Sequence, residues 1–200
     1  MKTLPAAGLT ILLMIYPVAS IAGVPEVQVR ATIDRVLAIV KDPQLKSRES
    51  ERRQKLKEAL HQRFDFTEMA KRSLGPDWRR LSPAQQQEFV ELFTDLLEQA
   101  YLDRIEAYAS EKIEYLKERQ DNEFAEVDTK IIDQKGREFS LDYRLHNVKG
   151  DWKVYDVLVD DVSLVNNYRA QFTRVLAKSS VDELLQRMKE KAFSAPAAKG

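Results

Sequence analysis

The stretch Trp152–Phe172, WKVYDVLVDDVSLVNNYRAQF, constrains the fold more than any other part of the chain, because it reads as a strand that stops and a helix that starts almost at once. Trp152, Val154, Tyr155, Val157, Leu158 and Val159 form the aromatic and β-branched run of a buried strand. Asp160 and Asp161 break it, and Ser163 is a good cap for a helix beginning at Leu164. Leu164, Val165, Tyr168, Phe172, Val175 and Leu176 then recur at helical spacing, with Arg169 and Arg174 on other faces. Strand and helix together make an apolar wall with very few polar groups.

The strand carries a conflict of its own. Trp152, Val154, Asp156 and Leu158 share one parity, while Lys153, Tyr155, Val157 and Val159 share the other. A bulge near Asp156 reconciles the two patterns. Were Asp156 to point inward, desolvation would raise its pKa and make it a general base. Pairing with Arg144 or Arg169 is the plainer expectation.

Upstream, the chain alternates in the way of a half-buried antiparallel sheet. Ala125, Val127, Thr129 and Ile131 interleave with Glu126, Asp128 and Lys130; Phe139, Leu141, Tyr143 and Leu145 interleave with Ser140, Asp142, Arg144 and His146. Lys135-Gly136 and Lys149-Gly150-Asp151 supply the turns, and Glu111–Arg119 adds a weaker strand with Ile113 and Tyr115 on one face. The expected sheet is a meander with one dry face and one wet face.

The N-terminal half reads as helical. Val29, Ile33, Val36, Leu37 and Val40 form one stripe, ended by Asp42-Pro43. A charged helix from Ser47 to Arg63 comes next, its SRESERRQK run expected as a solvated face, and then a short helix with Phe64, Phe66, Met69 and Leu74 that Gly75-Pro76 ends. Ser82-Pro83-Ala84-Gln85 is a capping box with proline in the first helical position. The helix it opens carries Phe89, Phe93, Leu96, Leu97, Ala100, Tyr101, Ile105 and Tyr108 on one broad face. Ser180 opens a last helix with Leu184, Leu185 and Met188. Helices before and after an antiparallel sheet predict an α+β domain, a curved sheet of about four strands wrapped by helices.

Several chemistries are excluded. The chain has no cysteine, which removes disulfides, thiol catalysis and cysteine metal sites, and 32 basic residues balance 32 acidic ones, so no basic excess invites nucleic acid. His61 and His146 fall at positions expected on the surface, and no metal-ligand, nucleophile-elbow or phosphate-loop spacing occurs. The acidic clusters Asp160-Asp161 and Asp121-Asn122-Glu123 suit turns better than calcium. At the N-terminus, Lys2, the apolar run Leu9–Ile15 and the small-residue site Ser20-Ile21-Ala22 predict an export signal cleaved after Ala22. The expected layout is a signal peptide over 1–22, one domain over 23–193 and a disordered tail over 194–200.

WKVYDV followed by VSLVNNYRAQF resembles the MlaC family, periplasmic carriers of the system that maintains outer-membrane lipid asymmetry, also called toluene-tolerance proteins. The likeness extends to Gly75-Pro76-Asp77-Trp78-Arg79-Arg80-Leu81-Ser82-Pro83, to Gln86 or Gln87, Phe89, Phe93, Leu97 and Tyr101, and to Val127, Thr129, Leu141 and Tyr143. It spans roughly Val29 to Met188. Asp161 departs from the glycine usual before the VSLV turn; the same turn is expected, with aspartate capping or taking the left-handed conformation. The resemblance implies a cone with an internal apolar pocket, a phospholipid cargo, no cofactor, no metal and a monomer. It further implies docking to an inner-membrane ABC-transporter lipid complex and to an outer-membrane lipoprotein complex. Arg48–Lys57 and Lys178–Lys191 are the charged faces available for that.

Periodicity alone does not separate a filled core from a lined pocket. Under the carrier reading the residues expected to meet lipid are Phe93, Leu97, Tyr101, Val127, Ile131, Leu141, Tyr143, Val154, Val157, Tyr168 and Phe172. Two rival readings are an enzyme of the same cone shape using Asp156, and a lipid-free interaction or chaperone module whose apolar face is solid core.

Overall fold

Each reversal of the sheet is made where the sequence offers residues that accept a left-handed backbone. The structure, a computed structural model, describes residues 24–107 and 111–194. The cleavage site at Ala22, Tyr108 and the tail beyond Ser194 lie outside them. Strands β1 (Lys112–Asp121), β2 (Phe124–Ile132), β3 (Glu138–Val148), β4 (Asp151–Val159) and β5 (Val162–Ser163) pair antiparallel in chain order. Lys149 and Gly150, with φ of 55° and 91°, form a two-residue turn of the kind that matches strand twist. The weakly patterned β1 is a full strand. The short β5, which gives the sheet a fifth strand, had no sequence signal.

The expected bulge is present. Leu145 pairs with Val154 and Arg144 with Asp156, so Tyr155 is the extra residue of β4. Tyr155 and Asp156 consequently share the outer side of the sheet, and Val154, Val157 and Val159 all face inward. At the end of β4, Asp160 and Asp161 both take positive φ, 46° and 63°. Asp161 thus supplies the left-handed conformation, and the capping falls to Ser163, whose hydroxyl accepts from the Asn166 N–H at 3.0 Å.

Helix α1 spans Pro25–Lys41, α2 Glu49–Arg63, α3 Phe66–Leu74, α4 Pro83–Ala107, α5 Leu164–Leu176 and α6 Val181–Lys189. The capping box of α4 forms as expected: Ser82 N–H donates to Gln85 Oε1 at 3.0 Å, and Gln85 N–H to Ser82 Oγ at 3.3 Å. At 1.5 Å per residue its 25 residues run about 38 Å. That length puts its two halves in different surroundings. Phe89, Phe93 and Leu96 pack with α3, α5 and α6 in an all-helical core. Leu102 instead packs against Val36, Leu56 and Ala59 of α1 and α2.

The charged run of α2 is only partly the solvated face expected of it. Arg52 Nε reaches Glu106 at 3.1 Å, Arg53 pairs with Asp103, and Lys57 Nζ lies 2.6 Å from Glu98 Oε2. Those pairs hold α2 along the second half of α4.

Nor is the outer face of the sheet entirely wet. Asp142 is buried, and its carboxylate accepts the Thr129 N–H at 3.0 Å. Burial pushes this carboxyl above the ordinary aspartate value. Its folded pKa therefore exceeds its unfolded one, and the stability this confers is full below the unfolded pKa and lost as pH rises through the folded one. Asp142→Asn, which keeps the acceptor and removes the charge, is expected to raise the denaturation midpoint at pH 7.5 and not at pH 3. Denaturant titrations at the two pH values check this.

Candidate functional site

The inward side chains of the sheet do not fill the space under the helices. A cavity of about 520 Å³ remains, within the range of small-ligand sites. From the sheet it is walled by Ile113, Ile131, Phe139, Leu141, Tyr143, Val154, Val157 and Val159. Helix α4 contributes Leu97, Tyr101, Leu102 and Ile105, and Leu164 closes the side next to α5. Val29, Ile33, Val36 and Leu37 of α1, Leu60 of α2, and Phe64, Phe66 and Met69 complete it.

Strand register shows which way the cavity lies. Ile113, Ile131 and Phe139 are cross-strand neighbours, as are Leu141 and Val159, and all line the void. Toward the other end of the sheet Ala125, Leu145 and Trp152 are buried and pack solidly with Val127 and Val29. One end is plugged and the other is hollow.

Of the eleven residues expected to meet a ligand, Leu97, Tyr101, Ile131, Leu141, Tyr143, Val154 and Val157 line this cavity. Phe93, Val127, Tyr168 and Phe172 do not line it. Phe93, Tyr168 and Phe172 pack on one another in the helical core, with ring centroids 5.6–6.2 Å apart. Val127 belongs to the plug. The contributions of α1, of α2 and of Phe64–Met69 were missed. Their apolar stripes are visible in the sequence, but a stripe does not say what it faces.

The few polar groups in the wall are Thr32, Arg63, Glu98 and Arg104. Arg63 is enclosed by protein: Nη1 donates to Gln28 Oε1 and Asp151 Oδ1, each at 2.7 Å, and to the Trp152 carbonyl, while Nε donates to Thr32 Oγ1. Glu98 is buried and held by Lys57 and by His61 Nε2 at 2.9 Å. Burial pushes the phenols of Tyr101 and Tyr143 well above the ordinary tyrosine value, so both are neutral. Over most of its area such a wall solvates hydrocarbon.

Catalytic candidates are elsewhere or already engaged. Asp156 does not reach the cavity: Oδ2 accepts the Ser163 hydroxyl at 2.6 Å, Oδ1 accepts the Val165 N–H at 3.1 Å, and Arg144 stands at 3.7 Å. His146, expected at the surface, is half-buried, with Nε2 3.0 Å from Asp65 and its ring edge-on to Tyr155. Asp160 accepts the Ser140 N–H, a turn role. Among the described residues no cluster of histidine and carboxylate groups has the makings of a metal site.

The family model described as MlaC protein matches residues 30–190. The chain is 31% identical over 124 residues to the intermembrane phospholipid transport system binding protein MlaC of Haemophilus influenzae, covering 60% of this chain and 58% of that protein, so the match spans less than two thirds of that relative. It is 27% identical over 180 residues to the toluene tolerance protein ttg2D of Pseudomonas putida, with 88% and 84% of the two chains covered. Among solved structures, the phospholipid-binding protein of Ralstonia solanacearum in complex with a phospholipid superposes with a TM-score of 0.77 at 27% identity, covering 84% of this chain and 97% of that one.

Proposed function

The chain belongs to the MlaC family of periplasmic lipid-transport proteins, and from that premise we propose that it encloses the acyl chains of a phospholipid in the cavity between the sheet and α1, α2 and α4. The observation that carries this reading is the hollow, almost wholly apolar space of about 520 Å³. A solid core, as a lipid-free interaction module requires, would leave no such space. The similarity to a Ralstonia protein solved with a phospholipid supports the same cargo.

Energetics favour enclosure over a surface patch. Two acyl chains carry some 30 methylenes, and at about 0.8 kcal/mol each their exposure to water would cost on the order of 24 kcal/mol. A hydrocarbon-like wall brings transfer close to neutral, so direction is set by the partners. Those partners are an ABC-transporter lipid complex of the inner membrane and a lipoprotein complex of the outer membrane, in keeping with the role of the Haemophilus relative in intermembrane phospholipid transport. The segment Lys178–Lys191 and the part of α2 not engaged with α4 are the charged surfaces on offer. Carriage requires no bond to be made or broken, and the carboxylate that an enzyme reading would need is committed to the start of α5.

Native mass spectrometry on protein purified from periplasm without detergent is expected to show a stoichiometric adduct that organic extraction identifies as phospholipid. An empty, well-folded protein after incubation with phospholipid vesicles would remove the carrier reading.

A further inference from the structure

Three charged side chains stand in the cavity wall. Arg63 and Glu98 are each matched by opposite charge within the wall, Asp151 for the first and Lys57 for the second. Arg104 also lines the cavity, in the last turn of α4, with its guanidinium carbon 5.3 Å from the Tyr101 ring centroid. That arrangement places a half-buried cation on an aromatic face, at the hollow end and away from the plug.

Beneath it sits a hydroxyl that protein atoms leave unsatisfied. Tyr101 Oη is buried and has no hydrogen-bond partner. The Arg104 charge acts on this phenol, opposing the upward push of burial. A buried hydroxyl without a partner costs free energy and calls for an explanation. One guanidinium and one O–H donor, set in a largely apolar wall, match an oxygen-rich anion attached to acyl chains. A guanidinium has enough N–H donors to hold contacts within the wall and a ligand oxygen together.

We propose that Arg104, with Tyr101 beneath it, anchors the phosphodiester of the bound lipid and sets the depth to which the acyl chains enter. The proposal rests on the carrier reading and sharpens it: the site selects for the phosphate and leaves the alcohol beyond it unread. Acyl chains then point toward Val154 and the plug, and the head group stays on the side of the cavity where Arg104 stands.

The test is a competition. Delipidated protein is offered an equimolar mixture of phosphatidylglycerol and diacylglycerol with identical acyl chains, dispersed with cyclodextrin, and the adducts are counted by native mass spectrometry. Wild type is expected to favour phosphatidylglycerol by about tenfold, the discrimination of one charge-assisted hydrogen bond. Arg104→Gln is expected to bring the two lipids near parity. Tyr101→Phe, which keeps the ring, is expected to lower the preference by a few fold while its melting temperature holds or rises. Equal loading by wild type, or an undiminished preference in Arg104→Gln, would overturn the anchor and leave the carrier reading standing. Failure of wild type to load either lipid would bring down both.

Discussion

Leu97→Trp is expected to reduce bound phospholipid at least tenfold while the protein remains folded. Leu97 lies near the middle of α4, where the helix leaves the solid core and begins to face the void. An indole there grows into empty space and takes the volume the acyl chains need. The strain of added bulk, about 1–3 kcal/mol, is the most that overpacking ordinarily costs, and the void absorbs part of it. Lipid extraction read beside a denaturant midpoint separates the two effects. Undiminished lipid in a folded variant would mean that the ligand lies elsewhere.

One turn earlier on the same helix the opposite outcome is expected. Phe93 is fully buried, stacked 6.0 Å from Phe89 and edge-on to Tyr168 and Phe172 at 5.6 and 6.2 Å. Phe93→Ala removes the centre of that cluster and is expected to cost about 3–5 kcal/mol. Against a total stability of about 5–15 kcal/mol, that is a large loss. The folded fraction should still carry its full complement of lipid, because none of the lost atoms touches the cavity. Urea unfolding gives the first quantity, and lipid per folded molecule by native mass spectrometry gives the second. Lipid lost in proportion to stability would put Phe93 back in the binding wall.

The contrast between Leu97 and Phe93 marks how far the sequence is legible. The capping box at Ser82, the serine caps at 163 and 180, and the alternation of β2 and β3 were all readable, because each depends on neighbours within a few residues. The bulge at Tyr155 was readable as a clash between two parities in one strand. The boundary between core and cavity was not. Phe93, Leu97 and Tyr101 repeat at the same spacing on one helix, and only what stands opposite them decides which is packed and which is exposed to the void. That is set by α1 and α2, whose stripes at Ile33, Leu37 and Leu60 show an apolar face but not its neighbour. Arg52, Arg53 and Lys57 looked like solvent-facing charge for the same reason: their acidic partners on α4 are some 40 to 55 residues away in the chain.

The extra residue of β4 gives Asp156 a role in folding fidelity. A straight strand, without the bulge, is the alternative pairing of these same residues, and a one-residue slip turns every later side chain to the opposite side. In that misaligned state Asp156 would enter the hydrocarbon space while Val157 and Val159 turned toward water. An ionised carboxylate in such surroundings costs several kcal/mol, and the misaligned state forgoes the contacts to Ser163 and Val165. The charge therefore acts as a proofreading mark: it penalises the wrong alignment and rewards the right one. Asp156→Leu would remove that penalty together with the contacts to Ser163 and Val165, leaving only the burial of Val157 and Val159 to hold the alignment.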